Sequence, residues 1–96
     1  MKAPIYSVLT TSHFDRLMKK LAPKHPELVE RFGQAITILA ADPYNKSGKY
    51  AIKKLVGVAA GEGQCRLRSG RFRFRYDVEG LEVVLHYCGL RREDTY

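Results

Sequence analysis

Apolar residues recur along the chain with two different periods. Phe14, Leu17, Met18 and Leu21 fall at i, i+3, i+4 and i+7, one stripe of a helix, with Arg16, Lys19 and Lys20 off it. Thr10-Thr11-Ser12 supplies cap residues ahead of this helix, and Ser12 with Asp15 resembles a capping box. Pro23 stops the helix. Pro26 opens a second one, with Leu28, Val29, Phe32, Ile36, Leu39 and Ala40 on one side, which ends before Asp42-Pro43. The short link between the two predicts an antiparallel helical hairpin. Ile5–Leu9 reads as a strand preceding both, with Pro4 suiting its start.

From residue 64 the period changes to two. The stretch QCRLRSGRFRFRYDVEGLEVVLHYC predicts a three-stranded meander, 64–68, 71–78 and 81–88, closed by two-residue turns at Ser69-Gly70 and Glu79-Gly80. In that register Leu67 faces Phe72, Cys65 faces Phe74, Phe74 faces Leu85, Tyr76 faces Val83 and Phe72 faces Tyr87. One face is then apolar and aromatic. The other carries Arg66, Arg68, Arg71, Arg73, Arg75 and His86, with Arg66, Arg73 and His86 in one row. The helical stripes need a partner and the aromatic face needs a cover, so the two are expected to pack together and leave the basic face open. Asp77 and Glu82 are expected opposite each other at the far end of the hairpin. Asn45–Gly48 and Gly61–Gly63 read as loops, and Ala51–Val56 as a short strand or turn.

Composition sharpens this picture at one point. The 96 residues suffice for one domain, 1–96, and the formal charge of +7 favours an anionic partner such as nucleic acid. Every lysine precedes residue 61, and beyond it the positive charge of the strands is carried by Arg. Guanidinium forks grip phosphate bidentately, whereas lysines more often only solvate a surface. Like charges directly opposite on a sheet are destabilising by some tenths to roughly 1 kcal/mol per pair. Arg66–Arg73 and Arg68–Arg71 would be such pairs. A solvated basic face is the plain alternative; a face that holds a polyanion accounts better for the repulsion. Lys53 and Lys54 extend that surface or merely solvate it.

Other chemistries find little support. Cys65 is expected in the core and Cys88 on the basic face, too far apart to join, so both read as reduced thiols of a cytoplasmic protein. No apolar run is long enough to span a membrane, and no signal-peptide pattern stands at the start. No Cys/His/Asp/Glu cluster has metal-ligand spacing, so neither a metal nor another cofactor is expected. His13 and His25 stand near helix starts and read as structural.

The order strand, two helices, Arg-rich meander resembles the RelE/ParE superfamily of bacterial and archaeal toxins. FDRLMKKL, KKLVG, CRLRSGRFRFRYDV and GLRREDTY carry the resemblance, which covers nearly the whole chain. It implies an α+β fold: an N-terminal strand and an antiparallel helical hairpin packed on an antiparallel sheet. It also implies the toxin of a type II toxin–antitoxin pair, held with a cognate antitoxin protein in a hetero-oligomer. The RelE-type branch resembles metal-independent ribonucleases that cut mRNA in the A site of the small ribosomal subunit. The ParE-type branch inhibits DNA gyrase without such cleavage. An inert RNA- or antitoxin-binding module is the third reading.

For the RelE-type branch the resemblance points to Arg66, Arg73, His86, Arg91 and Tyr96 as catalytic residues. Arg68, Arg71, Arg75, Lys53, Lys54 and Arg92 would hold RNA phosphates. This chain has Gln64 and Arg66 where some ribonuclease members carry lysines, and arginine is a poor proton donor, so Arg66 suits an electrostatic role. The chemistry can also be derived from the substrate. RNA carries its own nucleophile, the 2′-hydroxyl, so cleavage needs in-line placement, positive charge on the phosphate, a base and an acid. Arg73 and Arg91 suit the charge role. His86 suits either proton role, with the surrounding arginines favouring its use as a base. Tyr96 can stack on a base or transfer a proton.

Overall fold

The computed structural model describes residues 5–90, so Arg91, Arg92 and Tyr96 lie outside the described residues. Seven elements follow in order: β1 (Ser7–Thr10), α1 (Ser12–Leu21), α2 (Glu27–Ala41), β2 (Ile52–Lys54), β3 (Cys65–Ser69), β4 (Phe72–Glu79) and β5 (Glu82–Leu90). They form an α+β fold with a five-stranded sheet in the order β1-β5-β4-β3-β2. The sheet is mixed rather than antiparallel: the meander is antiparallel, but β1 runs parallel to β5, with Ser7 opposite Glu82 and Thr10 opposite Leu85. A parallel pair needs a long crossover. Here the helices and the first meander strands supply it.

Helix α1 starts where the stripe begins, but its cap is Thr11, whose hydroxyl accepts the Phe14 N–H at 3.1 Å; Ser12 is already helical. Helix α2 opens directly after Pro26. Its buried side is Leu28, Ala35 and Leu39, while Val29, expected on that side, is exposed. The rings of Phe14 and Phe32 lie 5.4 Å apart, which joins the two helices above the sheet. Beneath them Leu67, Phe72, Phe74, Tyr76, Val83, Leu85 and Cys88 complete one core. Each fully buried Leu or Phe contributes about 1.5–3 kcal/mol relative to exposure. The buried Tyr76 hydroxyl donates to the Pro43 carbonyl at 2.7 Å, so this polar atom is satisfied.

Both hairpin turns lie one residue beyond their expected places. Ser69 pairs with Phe72 around Gly70-Arg71, and Glu79 pairs with Glu82 around Gly80-Leu81. Gly70 and Gly80 have φ of +62° and +61°, and glycine at the first central position is the type II′ requirement. Moving a two-residue turn by one position shifts each pairing by two, and two is the side-chain period. Every β3 and β4 side chain therefore keeps its expected face, although its partner changes: Leu67 now faces Phe74, and Arg66 faces Arg75.

Strand β5 departs further. Arg75 pairs with Tyr87 but Tyr76 pairs with Leu85, so His86 is an extra residue, a β-bulge. Beyond it the faces exchange. Cys88, expected on the basic face, points into the core opposite Phe74, while Tyr87, expected in the core, stands opposite Arg75 on the basic face. Both cysteines are free thiols on strands separated by β4, so the absence of a disulfide holds for a different reason than position on opposite faces. Among the described residues no helix is long and apolar enough to cross a membrane.

Candidate functional site on the basic sheet face

The sheet face away from the helices carries Lys53, Arg66, Arg75 and Tyr87 in one row across four strands, and Arg68, Arg73 and Gly89 in the next. The like-charged pairs are thus Arg66–Arg75 and Arg68–Arg73, not Arg66–Arg73 and Arg68–Arg71. Arg66, Arg73 and Arg75 are half-buried and Arg68 is exposed. The Arg66 Nε is buried without a hydrogen-bond partner. Two expected members are absent from this face. Arg71 belongs to the turn and reaches the helical side, where it donates to Glu27 at 2.7 Å and meets His25 Nδ1 at 3.0 Å. Lys54 pairs with Cys65 and falls, by register, on the core side at the sheet edge. His25 packs edge-on against Phe72, in the structural role expected of it.

Asp77 is the acid that the sequence reading misplaces. It stands opposite Val84 rather than Glu82, and its side chain is only 4% exposed. Its Oδ2 accepts the N–H groups of Gly61 and Gly63 at 3.0 and 2.9 Å, and its Oδ1 accepts that of Gln64 at 2.9 Å. Successive backbone N–H groups turned to one point form an anion-holding concavity. Gly61 and Gly63 make that turn possible with φ of +92° and +83°. The same loop is gripped from its carbonyl side, because Arg75 donates to Gly63 O and Glu62 O, each at 3.1 Å. A Cβ at Gly63 would lie 2.9 Å from that of Arg75. Loop 61–64, Arg75 and Asp77 are one interlocked unit.

His86 is attached to that unit. The bulge projects it toward Asp77, and its Nε2 lies 3.0 Å from Asp77 Oδ2. The carboxylate is an acceptor, so Nε2 carries a proton and Nδ1 is left as the nitrogen for chemistry. The imidazole is 23% exposed, enough to meet a ligand and too little to swing freely. It opens on a pocket of about 370 Å³ lined by Thr11, His13, Gly61, Glu62, Arg75, His86 and Tyr87. That size falls within the roughly 300–1,000 Å³ of small-ligand sites. Thr11 and His13 arrive there because β1 ends opposite Leu85, and α1 begins beside the stretch of β5 that β1 leaves uncovered.

The expected row of Arg66, Arg73 and His86 is therefore not one row, although all three belong to the same face of the sheet. His86 gathers with Arg75 and Tyr87 instead. Tyr87 and His13 are not among the site residues expected from the sequence, and Asp77, expected at the far end of the hairpin, instead holds His86. Among the described residues no group of three or more His, Cys, Asp and Glu can hold a metal ion. A cation, an oriented imidazole, a second imidazole and a phenol around one open pocket suit an anionic, ring-bearing ligand such as a nucleotide unit. Compared with protein-family models, curated proteins and solved structures, the chain gives no match.

Proposed function

We propose that this protein is a metal-independent endoribonuclease, the toxin of a toxin–antitoxin pair of the RelE type, cleaving mRNA on the ribosome by attack of the 2′-hydroxyl on its neighbouring phosphate. The observation that carries the reading is His86, held by Asp77 in an open pocket on the arginine-bearing sheet face. A proton-transfer group must be fixed in both tautomer and direction, and the Asp77 contact does both. Arg66, Arg68, Arg73 and Lys53 extend positive charge from the pocket across β4, β3 and β2, a track for a phosphate backbone. Arg75 lines the same pocket as His86 and supplies positive charge there, where the pentacoordinate phosphate would develop its own. Tyr87 offers a ring for a base to stack on.

The element order, one strand, two helices and a strand before a three-stranded meander, agrees with the resemblance on which the toxin assignment rests. A cognate antitoxin with an acidic segment would silence the protein by covering these arginines. The test is expression in growing cells with mapping of mRNA 5′ ends, alongside cleavage of ribosome-bound mRNA by the purified chain. Cuts at a fixed position within codons are expected. Arg73→Ala and His86→Ala should each lower cleavage about tenfold or more, the span of one electrostatic or proton-transfer contribution. Growth arrest that persists in both variants, with plasmid supercoiling altered and transcripts intact, would identify a gyrase inhibitor instead.

A further inference from the structure

Transesterification of RNA moves two protons, and His86 accounts for one of them. The pocket contains a second imidazole. His13 lies in the first turn of α1, exposed, on the wall contributed by the helix start, while His86 stands on the sheet wall with Arg75 and Tyr87. The two differ in their surroundings. His86 has the buried carboxylate of Asp77 at its Nε2, which balances the positive charge of a protonated ring. Among the described residues no carboxylate is bonded to His13, which stands in the first turn of α1. The remaining charged or titratable groups around the pocket are Glu62, Arg75 and Tyr87. Glu62 is exposed at the rim, and its backbone carbonyl is engaged by Arg75.

We infer that His13 is the general base and His86 the general acid of the proposed ribonuclease, facing each other across the scissile phosphate. This rests on the endoribonuclease reading and assigns its second catalytic residue. His13 takes the proton of the 2′-hydroxyl as that oxygen forms its bond to phosphorus. The bond from phosphorus to the 5′-oxygen breaks with its electron pair on oxygen, which takes the proton from His86 Nδ1. The products are a 2′,3′-cyclic phosphate and a free 5′-hydroxyl. One proton enters the protein and one leaves it, and no further reactant is needed. Arg75 stays charged throughout and faces the phosphate.

The experiment compares the whole chain with His13→Ala and His86→Gln on two ribosome-bound mRNA substrates, one natural and one with sulfur in place of the 5′-bridging oxygen at the cut site. A thiolate leaves without a proton, so the sulfur substrate does not need the acid. Both variants should lose about tenfold or more on natural RNA. On the sulfur substrate His86→Gln should recover most of the loss and His13→Ala none of it. Unchanged thermal midpoints establish that each variant is folded; His13 is exposed, so its removal disturbs no packing. If the unaltered protein cleaves neither RNA, the ribonuclease reading fails. If it cleaves both while His13→Ala matches it, or if the sulfur substrate rescues His13→Ala instead, the assignment made here is overturned.

Discussion

The Asp77 carboxylate lies 3.0 Å from His86 Nε2, and the same oxygen accepts two backbone N–H groups from loop 61–64. One buried acid thus couples the shape of a loop to the direction of an imidazole. The contact depends on the bulge in β5, because His86 is the residue with no partner on β4. Bulges next to functional sites commonly re-aim a side chain. Here the bulge also brings Tyr87 to the same face.

Asp77→Asn tests that coupling. An amide keeps the size but loses the charge, and its NH₂ cannot accept from either the loop or the imidazole. Hydrogen bonds to a charged group are worth about 1.5–3 kcal/mol each, and relaxation of the loop recovers part, so a net loss on the order of 2 kcal/mol is expected. Urea unfolding measures it. A positioning role predicts more than lost stability. Nitrogen NMR of the histidines, recorded at a pH where the ring is neutral, should show His86 protonated at Nε2 in the native protein and a changed tautomer in the variant. Cleavage should fall through kcat with KM nearly unchanged. A variant of native activity and tautomer would reduce Asp77 to a loop anchor.

How far the sequence reveals this arrangement depends on the element. Helices α1 and α2 are legible because their stripes repeat over several turns and prolines mark their limits. The β3 and β4 faces are legible because a misplaced two-residue turn cannot change a face. The bulge is not, because Tyr87 is apolar enough to continue the alternation of Val83 and Leu85, and nothing marks His86 as extra. A type II′ turn, with glycine first, would have corrected both pairings. Asp77 carried a faint signal: it is an acid in a run of arginines, with the left-handed glycines Gly61 and Gly63 upstream able to present N–H groups to it. The pocket wall contributed by His13 follows only from the parallel pairing of β1 with β5, a long-range contact that no local pattern records.

Gly89→Ala probes Tyr87 without altering the phenol itself. Gly89 follows Tyr87 by two residues on the same face, and a Cβ there would collide with the Tyr87 hydroxyl and ring. The backbone at Gly89 is not left-handed, so alanine introduces no backbone strain, and the mobile end of the tyrosine must give way. The fold should keep its thermal midpoint within a few degrees. If Tyr87 stacks on a base, KM for RNA should rise about fivefold to tenfold, since stacking on an aromatic is worth roughly 1–3 kcal/mol. Equal RNA affinity of native protein and variant would remove Tyr87 from the binding surface.

The two thiols should differ sharply in reactivity. Burial pushes the Cys88 thiol up from its ordinary 9.0 to about 12, and burial also raises that of half-buried Cys65. At pH 8 a thiol reagent should modify Cys65 slowly, and Cys88 only at the rate of global unfolding. The sign of the linkage follows from the raised value. The folded state holds the proton more tightly than the unfolded state, so the contribution is whole below pH 9 and is lost as pH rises toward about 12. The buried Tyr76 hydroxyl is raised as well, chiefly by burial, and acts in the same direction. Thermal midpoints measured from pH 7 to 11 should therefore fall above pH 9. A Cys88 thiol as reactive as that of Cys65 in the native protein would contradict its place in the core.

The spread of charge over β2, β3 and β4 predicts a steep salt dependence of RNA binding. Each phosphate neutralised on a single strand lowers the slope of log K against log salt by about 0.7, through release of a condensed counterion. Arg68 and Lys53 are exposed members of this face, outside the pocket. The paired variant Lys53→Ala/Arg68→Ala should flatten the slope by about 1 to 1.5 and weaken binding to all sequences alike. The thermal midpoint should not fall, and loss of Arg68 relieves its repulsion with Arg73 across the β3–β4 ladder, worth some tenths to roughly 1 kcal/mol. A variant gaining stability while losing affinity would explain why like charges persist in opposition on this sheet. A slope unchanged by both substitutions would mean that the phosphate track runs elsewhere on the protein.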